Sequence, residues 1–488
     1  MRALPLNSTL IVLAILLAWS LARAARFGVP GAPATWEALG RALSHRAVLA
    51  FLLLGACASV SFSTLSGYIN PRDYVQDVVA AHQFLKHASM YPRDVPRMGT
   101  VELAAPITGR DELQHLPVIR AEFNTLADPP ATANAHPPVL GIALAPLVFL
   151  FGLRGSFVFV LLLSIALLYL SVAAILREVF SPLPFAAWCA VIGLVFGWYP
   201  VGTTLRSGQP SIILFALITA AWLMLRRNRP WMAGGAIGLA ACLHAFPALL
   251  LLYFAIRFRR ALVSAIGAIA LLGAAAAALS VPHTFGQWLD TAGMVAQRFV
   301  PRPSNQSVAG LITSLSGGIG CGENVRVVAP AVVLIVAAAL ALFLWPWNRG
   351  SLPPERLDVE YSVFMAAMLL ASPLSWARYL PIMLLPIALI IRNWKQQRPA
   401  WAVPALLAAL LLMSFPESSF GWLYNWLTRS VGFAAGWLMA AMPSLAILAI
   451  LVWLGSSLHS TVASAKTRLG AAPGPFEHPV WTHHNPRQ

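Results

Sequence analysis

Asp73 and Asp77 stand four residues apart in INPRDYVQDVVAAHQFLKHASMYP, residues 69–92, within the longest polar interval of an otherwise apolar chain. In a helix that spacing puts both carboxylates on one face, beside an apolar stripe of Tyr74, Val78, Ala81 and Leu85. The pattern predicts a short amphipathic helix lying at a membrane surface, acids turned outward. A carboxylate held there could take a proton from a hydroxyl. A plainer role is open to the same residues: after the Asn70-Pro71 turn, Asp73 is placed to cap a helix and Asp77 to favour its dipole.

Other polar residues sit where apolar runs are interrupted. They are His136 in HPP, Arg206 and Gln209 in LRSGQP, His244 in HAFP, Asn305 and Gln306 in SNQS, and Trp376 and Arg378 in SPLSWARYLP. Together with the acids they supply what a phosphate-releasing transfer needs, a base and cations for the leaving group. Each also has an ordinary reading. His136 could simply end a loop at the interface, and Arg206 could be a snorkelling arginine. His244 could be a hydrogen-bonded histidine of the core, although an ionisable group inside an apolar run is a functional candidate by default. Trp376 and Tyr379 suit either an interface anchor or a sugar platform. No HExxH spacing or third acidic ligand accompanies the pair of aspartates, and no GxxxxGK[ST] loop occurs, so neither a metal nor another cofactor nor ATP chemistry is expected.

The elements that must position these residues are apolar helices. Hydrophobic residues make up 59% of the 488 and charged residues only 10%, with a mean hydropathy of +0.73; soluble domains carry about 25% charged residues. The expected fold is an all-α polytopic membrane protein, a bundle of about 11–13 transmembrane helices, each near 20 residues, with broken or re-entrant segments. The formal charge of +16 reads as arginine-rich cytoplasmic loops rather than a nucleic-acid footprint. Four cysteines at unpaired spacings suggest neither a disulfide framework nor a zinc site. The run Leu10 to Ala25 reads as a retained first helix, because Arg23 and Arg26 replace a small-residue cleavage site.

Chain organisation follows from charge. Transmembrane helices are expected in 1–66, 136–280 and 328–455. Extracytoplasmic loops are expected in 67–135, which carries eight of the seventeen acidic residues and the amphipathic helix, and in 281–327. A cytoplasmic, disordered tail is expected over 456–488. Arg226, Arg227 and Arg229 mark one inner loop, Arg257, Arg259 and Arg260 another, and Arg392, Lys395 and Arg398 a third. The run Trp231 to Ile256 then has both ends inside, which one helix cannot satisfy. A hairpin broken at Pro247, or an arginine-rich outer loop, resolves the parity. The same puzzle recurs at Tyr361 to Ile391. Broken backbone at membrane depth survives only where protein or a wet cavity covers it, so both breaks point to an internal site, an ordinary proline kink being the alternative.

At these residues the chain resembles glycosyltransferase family 87, polyprenol-phosphate-dependent, mannosyltransferase-like enzymes of the GT-C fold. The likeness is an ordered set of short motifs: DYVQDVVAA at 73–81, HPP at 136–138, SGQPSIILFAL at 207–217, AGGAIGLAACLHAFPALLLLY at 233–253, NQSVAGLIT at 305–313 and SPLSWARY at 372–379. The resemblance implies a GT-C-like body with a long first outer loop. It also implies inverting transfer of a mannose-like hexose from a polyprenyl-phosphate donor to a glycan or glycolipid hydroxyl, at the outer face of a bacterial plasma (inner) membrane. Asp73 falls where the family's base is expected, whereas Asp77 falls where relatives often carry an aromatic residue. His136, Arg206, Gln209, His244, Asn305, Gln306, Trp376 and Arg378 would bind the substrate and the donor phosphate. The family usually has lysine at the position of His244 and often a histidine near Arg378, so positive charge at position 244 here depends on protonation. Membrane lipid is an expected partner and nucleic acid is not. Two other classes fit the broken apolar runs: a lipid or solute transporter or flippase, and a non-catalytic envelope-assembly protein.

Overall fold

A computed structural model describes residues 11–18 and 46–69, a few isolated positions flanking them, 73–91, 134–315, 324–344, 352–394, 402–415 and 417–470. Most of the expected outer loop, 92–133, Cys321, the lysine and arginine at 395 and 398, and the tail from 471 lie outside the described residues.

The described residues form helices and connecting turns, and the protein is an all-α polytopic membrane protein. In chain order the helices are α1 (Arg46–Ile69), α2 (Tyr74–Leu85), α3 (Pro138–Phe180), α4 (Phe185–Phe196), α5 (Tyr199–Ser207), α6 (Ser211–Arg226), α7 (Pro230–Leu243), α8 (Leu250–Arg257) and α9 (Arg259–Leu279). They continue with α10 (Thr284–Phe299), α11 (Val308–Leu315), α12 (Val325–Leu344), α13 (Pro354–Ala371), α14 (Leu384–Trp394), α15 (Ala402–Met413), α16 (Glu417–Ser430) and α17 (Phe433–Gly470). Short 3-10 turns, Phe246–Leu249 and Ala377–Met383, precede α8 and α14. Among the described residues five helices are long and apolar enough to cross a membrane, and α4 with α5, bent by 55°, would make a sixth. Four further apolar helices are shorter. The runs Pro138 to Leu153 and Ser156 to Leu176 lie in one long helix, α3, divided at Gly152, whose φ of 64° and ψ of −170° interrupt the helical ladder. At the C-terminus α17 runs on to Gly470, so the expected tail is helical from 456 to 470.

The parity puzzle resolves as two hairpins. Glycine brings α7 against α9: a Cβ on Gly234 would collide with the Ala261 carbonyl, and one on Gly238 with the Ala265 carbonyl and Ala268. Positions rise together along both helices, so α7 and α9 run parallel with their starts level. The segment Phe246–Arg257 must therefore double back from the tip at His244 to the level where α7 began. Pro247 is why the chain turns there: it offers no amide proton and disfavours helix in the residue before it. The second hairpin runs up α13, which is buried at every residue from Arg356 to Ala371. It turns through 372–376 and descends through Ala377–Met383 and α14.

Charge locks both hairpins at their base. Asp358, fully buried, accepts from Arg226 Nη1 (2.6 Å) and Trp222 Nε1 (2.8 Å) and is paired with Arg392 Nη2 (2.9 Å). Glu360, equally buried, accepts from Arg257 Nε and Nη2 (2.9 and 2.7 Å) and from Arg356 Nε (2.8 Å). Arginines from all three expected inner loops thus share one end of the molecule. Asp358 and Ser372 are separated by about 21 Å of helix, which places the hairpin tips at the other end. Removing Asp358 would take the carboxylate from Arg392 and leave Arg226 with only its longer pairing to Glu178 (3.7 Å), so Asp358→Ala should destabilise the folded protein by about 3–5 kcal/mol. A clear fall in the thermal midpoint of purified protein is the expected result, with a smaller change for Glu178→Ala, which removes the partly exposed carboxylate that Arg226 and Arg227 share.

Candidate active site

The two tips meet. His244 Nε2 lies 3.2 Å from Tyr379 Oη, and the Phe246 ring packs on the same tyrosine with centroids 5.4 Å apart. The backbone carbonyl of Arg378 accepts from Thr204 Oγ1 (2.8 Å), which fastens the second tip to α5. His136 closes the group from the start of α3, its ring 5.2 Å from that of His244.

Both aspartates enter this cluster from α2, and neither serves as a helix cap. Asp73 occupies the N-cap position, yet its carboxylate makes no capping bond; it contacts the Arg378 guanidinium through Oδ2. Asp77 is buried and accepts from His136 Nδ1 at 2.7 Å. An ionised carboxylate has no proton to give, so this bond fixes the imidazole proton on Nδ1 and leaves Nε2 as the second ring nitrogen of His136. The expectation of an amphipathic helix lying on a membrane surface does not hold. Tyr74, Val75, Val78, Val79, Ala80, Ala81, His82 and Gln83 are all buried with Asp77, and α2 lies against α3, where Ala80 and Met90 crowd Gly141. Polar side chains that look solvent-facing in the sequence find protein partners instead.

Two asparagine turns hold the loops. Asn134 Oδ1 accepts the His136 amide (2.8 Å), and Tyr91 Oη donates to the His136 carbonyl (2.7 Å). Burial, reinforced by the Asp77 charge, pushes the Tyr91 hydroxyl well above its usual range, keeping it a donor. Asn305 donates through Nδ2 to the carbonyls of Val300 (3.0 Å) and Pro373 (2.9 Å), and its Oδ1 accepts the amides of Ser307 (3.2 Å) and Ser375 (2.9 Å). Both polar atoms of the Asn305 side chain are therefore engaged with protein, which makes it a staple between the 301–307 loop and the second tip. The signal for both is an Asx turn, Asn followed two residues later by a loop-ending His or Ser. Thr204, Asn134, Tyr91 and Ser375 escaped the sequence reading, and only Asn134 carried such a signal.

The remaining candidates lie around this core. Gly208 backs onto Tyr74, next to Asp73, so closely that a Cβ would meet it at 2.7 Å, which sets Gln209 nearby. Arg206 is half-buried, its nearest hydrogen-bonding side chain being Thr203 at 3.5 Å. Trp376 lies under Arg378, ring centroid 5.6 Å from the guanidinium carbon. Gln209 Oε1, His244 Nδ1, Gln306 Oε1, Ser375 Oγ and Arg378 Nε are buried without a hydrogen-bond partner among the described residues. Native interiors satisfy such atoms, so their gathering at two hairpin tips marks a polar binding region. No group of three His, Cys, Asp or Glu side chains suited to a metal occurs among the described residues.

The sequence model of glycosyltransferase family 87 matches residues 134–373. That segment, just under half of the chain, is similar to glycosyltransferase family 87. Two curated relatives are each named a polyprenol-phosphate-mannose-dependent alpha-(1-2)-phosphatidylinositol mannoside mannosyltransferase. One, from Mycolicibacterium smegmatis, is 27% identical over 241 residues, covering 46% of this chain and 52% of the relative. The other, from Mycobacterium tuberculosis, is 25% identical over 303 residues, covering 58% of this chain and 67% of the relative. The chain thus spans about half the length of the first and two thirds of the second. No solved structure matches it. The family 87 segment contains His136, Arg206, Gln209, His244, Asn305 and Gln306 but stops short of Trp376 and Arg378 and begins after Asp73. It is the folding of the hairpins that brings Asp73 and Arg378 to the family 87 residues.

If Asn305 is a staple, Asn305→Ala leaves the Ser307 and Ser375 amides and the Val300 carbonyl without that partner, while Pro373 keeps Ser307 Oγ; each buried group left unpaired costs about 1–3 kcal/mol. The thermal midpoint should fall, whereas Gln306→Ala, which removes an unbonded side-chain oxygen, should leave it near wild type.

Proposed function

We propose that this protein is an inverting glycosyltransferase that moves a sugar, a mannose-like hexose, from a polyprenyl-phosphate donor to a hydroxyl of a glycan or glycolipid acceptor. The reaction takes place at the outer face of the bacterial plasma membrane. The observation that carries the reading is the contact between Asp73 and Arg378 at the hairpin tips, opposite the arginine-marked end. A base and a phosphate-binding cation are the two groups such a transfer requires, and they lie side by side. The family segment and the mannosyltransferase names of both relatives support the donor class. The phosphatidylinositol mannoside in those names supports a lipid-borne acceptor.

In this mechanism the acceptor oxygen attacks the anomeric carbon from the side opposite the phosphate. Its proton passes to Asp73, the bond from the anomeric carbon to the phosphate oxygen breaks, and the polyprenyl phosphate leaves as an anion. The leaving group needs charge stabilisation rather than a proton, which Arg378 supplies with Arg206, His136, Gln209, His244 and Gln306 around it. Asp77 serves as the partner that orients His136 rather than as a second base. A donor phosphate competes with Asp73 for the same guanidinium, so donor binding frees the carboxylate to act.

That competition separates binding from chemistry. Asp73→Asn should abolish transfer by purified protein while holding polyprenyl phosphate at least as tightly as wild type; retained transfer would remove Asp73 from the role of base. Arg378→Ala should raise the donor KM at least tenfold, on the scale of one lost charge-assisted bond. Transfer should persist in EDTA. Release of polyprenyl phosphate only when an acceptor is present distinguishes a transferase from a transporter or a scaffold.

A further inference from the structure

Arg298 and Arg302, which pack on Phe299 beside Trp376, are not used by that mechanism. Both guanidiniums address the Phe299 ring, Arg302 at 4.2 Å from its centroid and Arg298 at 5.9 Å. Phe299 packs edge-on against Trp376, centroids 6.3 Å apart, and Trp376 carries Arg378, which contacts Asp73. The result is a line of contacts, two cations, two adjoining rings and a third cation, that leads from the end of α10 to the candidate base.

The outer rung is built to hold an anion. Arg302 is half-buried and has no carboxylate within ion-pairing distance among the described residues. Burial and the neighbouring Arg298 charge both press its guanidinium below its usual range. Two like charges kept on one ring, one without a counter-ion, gain far more from a shared anion than from water. Their position is a second argument. They stand at the hairpin-tip end, where short translocated loops are normally poor in arginine. The loop is held rigid: the Arg302 carbonyl accepts the Asn305 amide (2.9 Å), and Asn305 is bonded to the second tip.

This anion is not the donor phosphate. In the transferase reading that phosphate is bonded to the carbon under attack and so must lie at Arg378, beside Asp73, whereas Arg298 and Arg302 are linked to Arg378 through two aromatic rings, Phe299 and Trp376. We infer that Arg298 and Arg302 bind the phosphodiester of a lipid-borne acceptor, whose sugar then extends past Trp376 towards Asp73. The word acceptor rests on the proposed transferase function; the anion site does not.

The test is a binding measurement on the full chain in neutral detergent, with four probes: phosphatidylinositol mannoside, phosphatidylglycerol, an uncharged alkyl mannoside and polyprenyl phosphate. Wild type should bind the mannoside phospholipid roughly ten- to hundredfold more tightly than the alkyl mannoside, the scale of one or two charge-assisted bonds. Arg302→Gln should erase that preference, Arg302→Lys should restore part of it, and polyprenyl phosphate affinity should stay constant throughout. The site is overturned if wild type shows no preference, if the preference survives in Arg302→Gln, or if polyprenyl phosphate binding falls in step, since the arginines then serve the donor. Equal binding of phosphatidylglycerol and mannoside phospholipid overturns the acceptor role. No turnover is measured, so failure of the Asp73→Asn transfer assay would sink the transferase reading and leave this result standing.

Discussion

Four arginines closed on two buried carboxylates decide where everything else in this bundle can go. Arg226, Arg257, Arg356 and Arg392 come from the ends of α6 and α8, the start of α13 and the end of α14, and they converge on Asp358 and Glu360. Removing such charges from water is expensive, and a well-packed apolar cluster could match their stability. What an apolar cluster could not do is fix the partners: a carboxylate inside an apolar bundle admits only positions that place a guanidinium on it. The network therefore works as a register mark. It sets the bases of both hairpins at one level, and helices of similar length rising from one level bring their tips together. The contact between His244 and Tyr379 is a consequence of that geometry.

The hairpins were legible in the chain because two independent constraints collided there. Arginines flanking Trp231 to Ile256 and Tyr361 to Ile391 demanded that both ends of each run share a face, and Pro247 and the stretch SPLSWARYLP supplied the places where helix fails. Either signal alone is ambiguous, since a proline kinks many transmembrane helices without turning the chain back. Together they leave a hairpin as the economical solution. What was not legible is which polar groups would pair. Asp77 and His136 are separated by 59 positions, and Asp73 and Arg378 by most of the chain. Nothing local distinguishes an aspartate that faces water from one that faces a histidine. The surface helix expected at 73–85 failed for that reason: its polar residues were read against solvent, and their partners lay on α3 and the second hairpin. Asn305 poses the same difficulty, since an asparagine that staples two loops and one that binds a substrate look alike until its four partners are seen.

Pairing a base with the cation that is to bind the donor has a further consequence for the transferase reading. With no donor, the carboxylate lone pairs face a guanidinium and are poor acceptors for a hydroxyl proton, so an acceptor or water arriving first meets an inert site. A phosphate has more charge and more oxygen atoms to offer Arg378 than one carboxylate has. It shifts the guanidinium towards itself by differential affinity, the only means by which a ligand can move such an equilibrium. The base is then uncovered only when the carbon to be attacked is already in place. The device needs no moving domain; it requires that Asp73, at the start of α2, and Arg378, on the second tip, be held too rigidly to separate on their own. The burial of α2 against α3 and the Thr204 bond to the Arg378 backbone supply that rigidity. In that reading the reactive pair sits on two anchored elements, and the donor supplies the last displacement that makes the pair reactive.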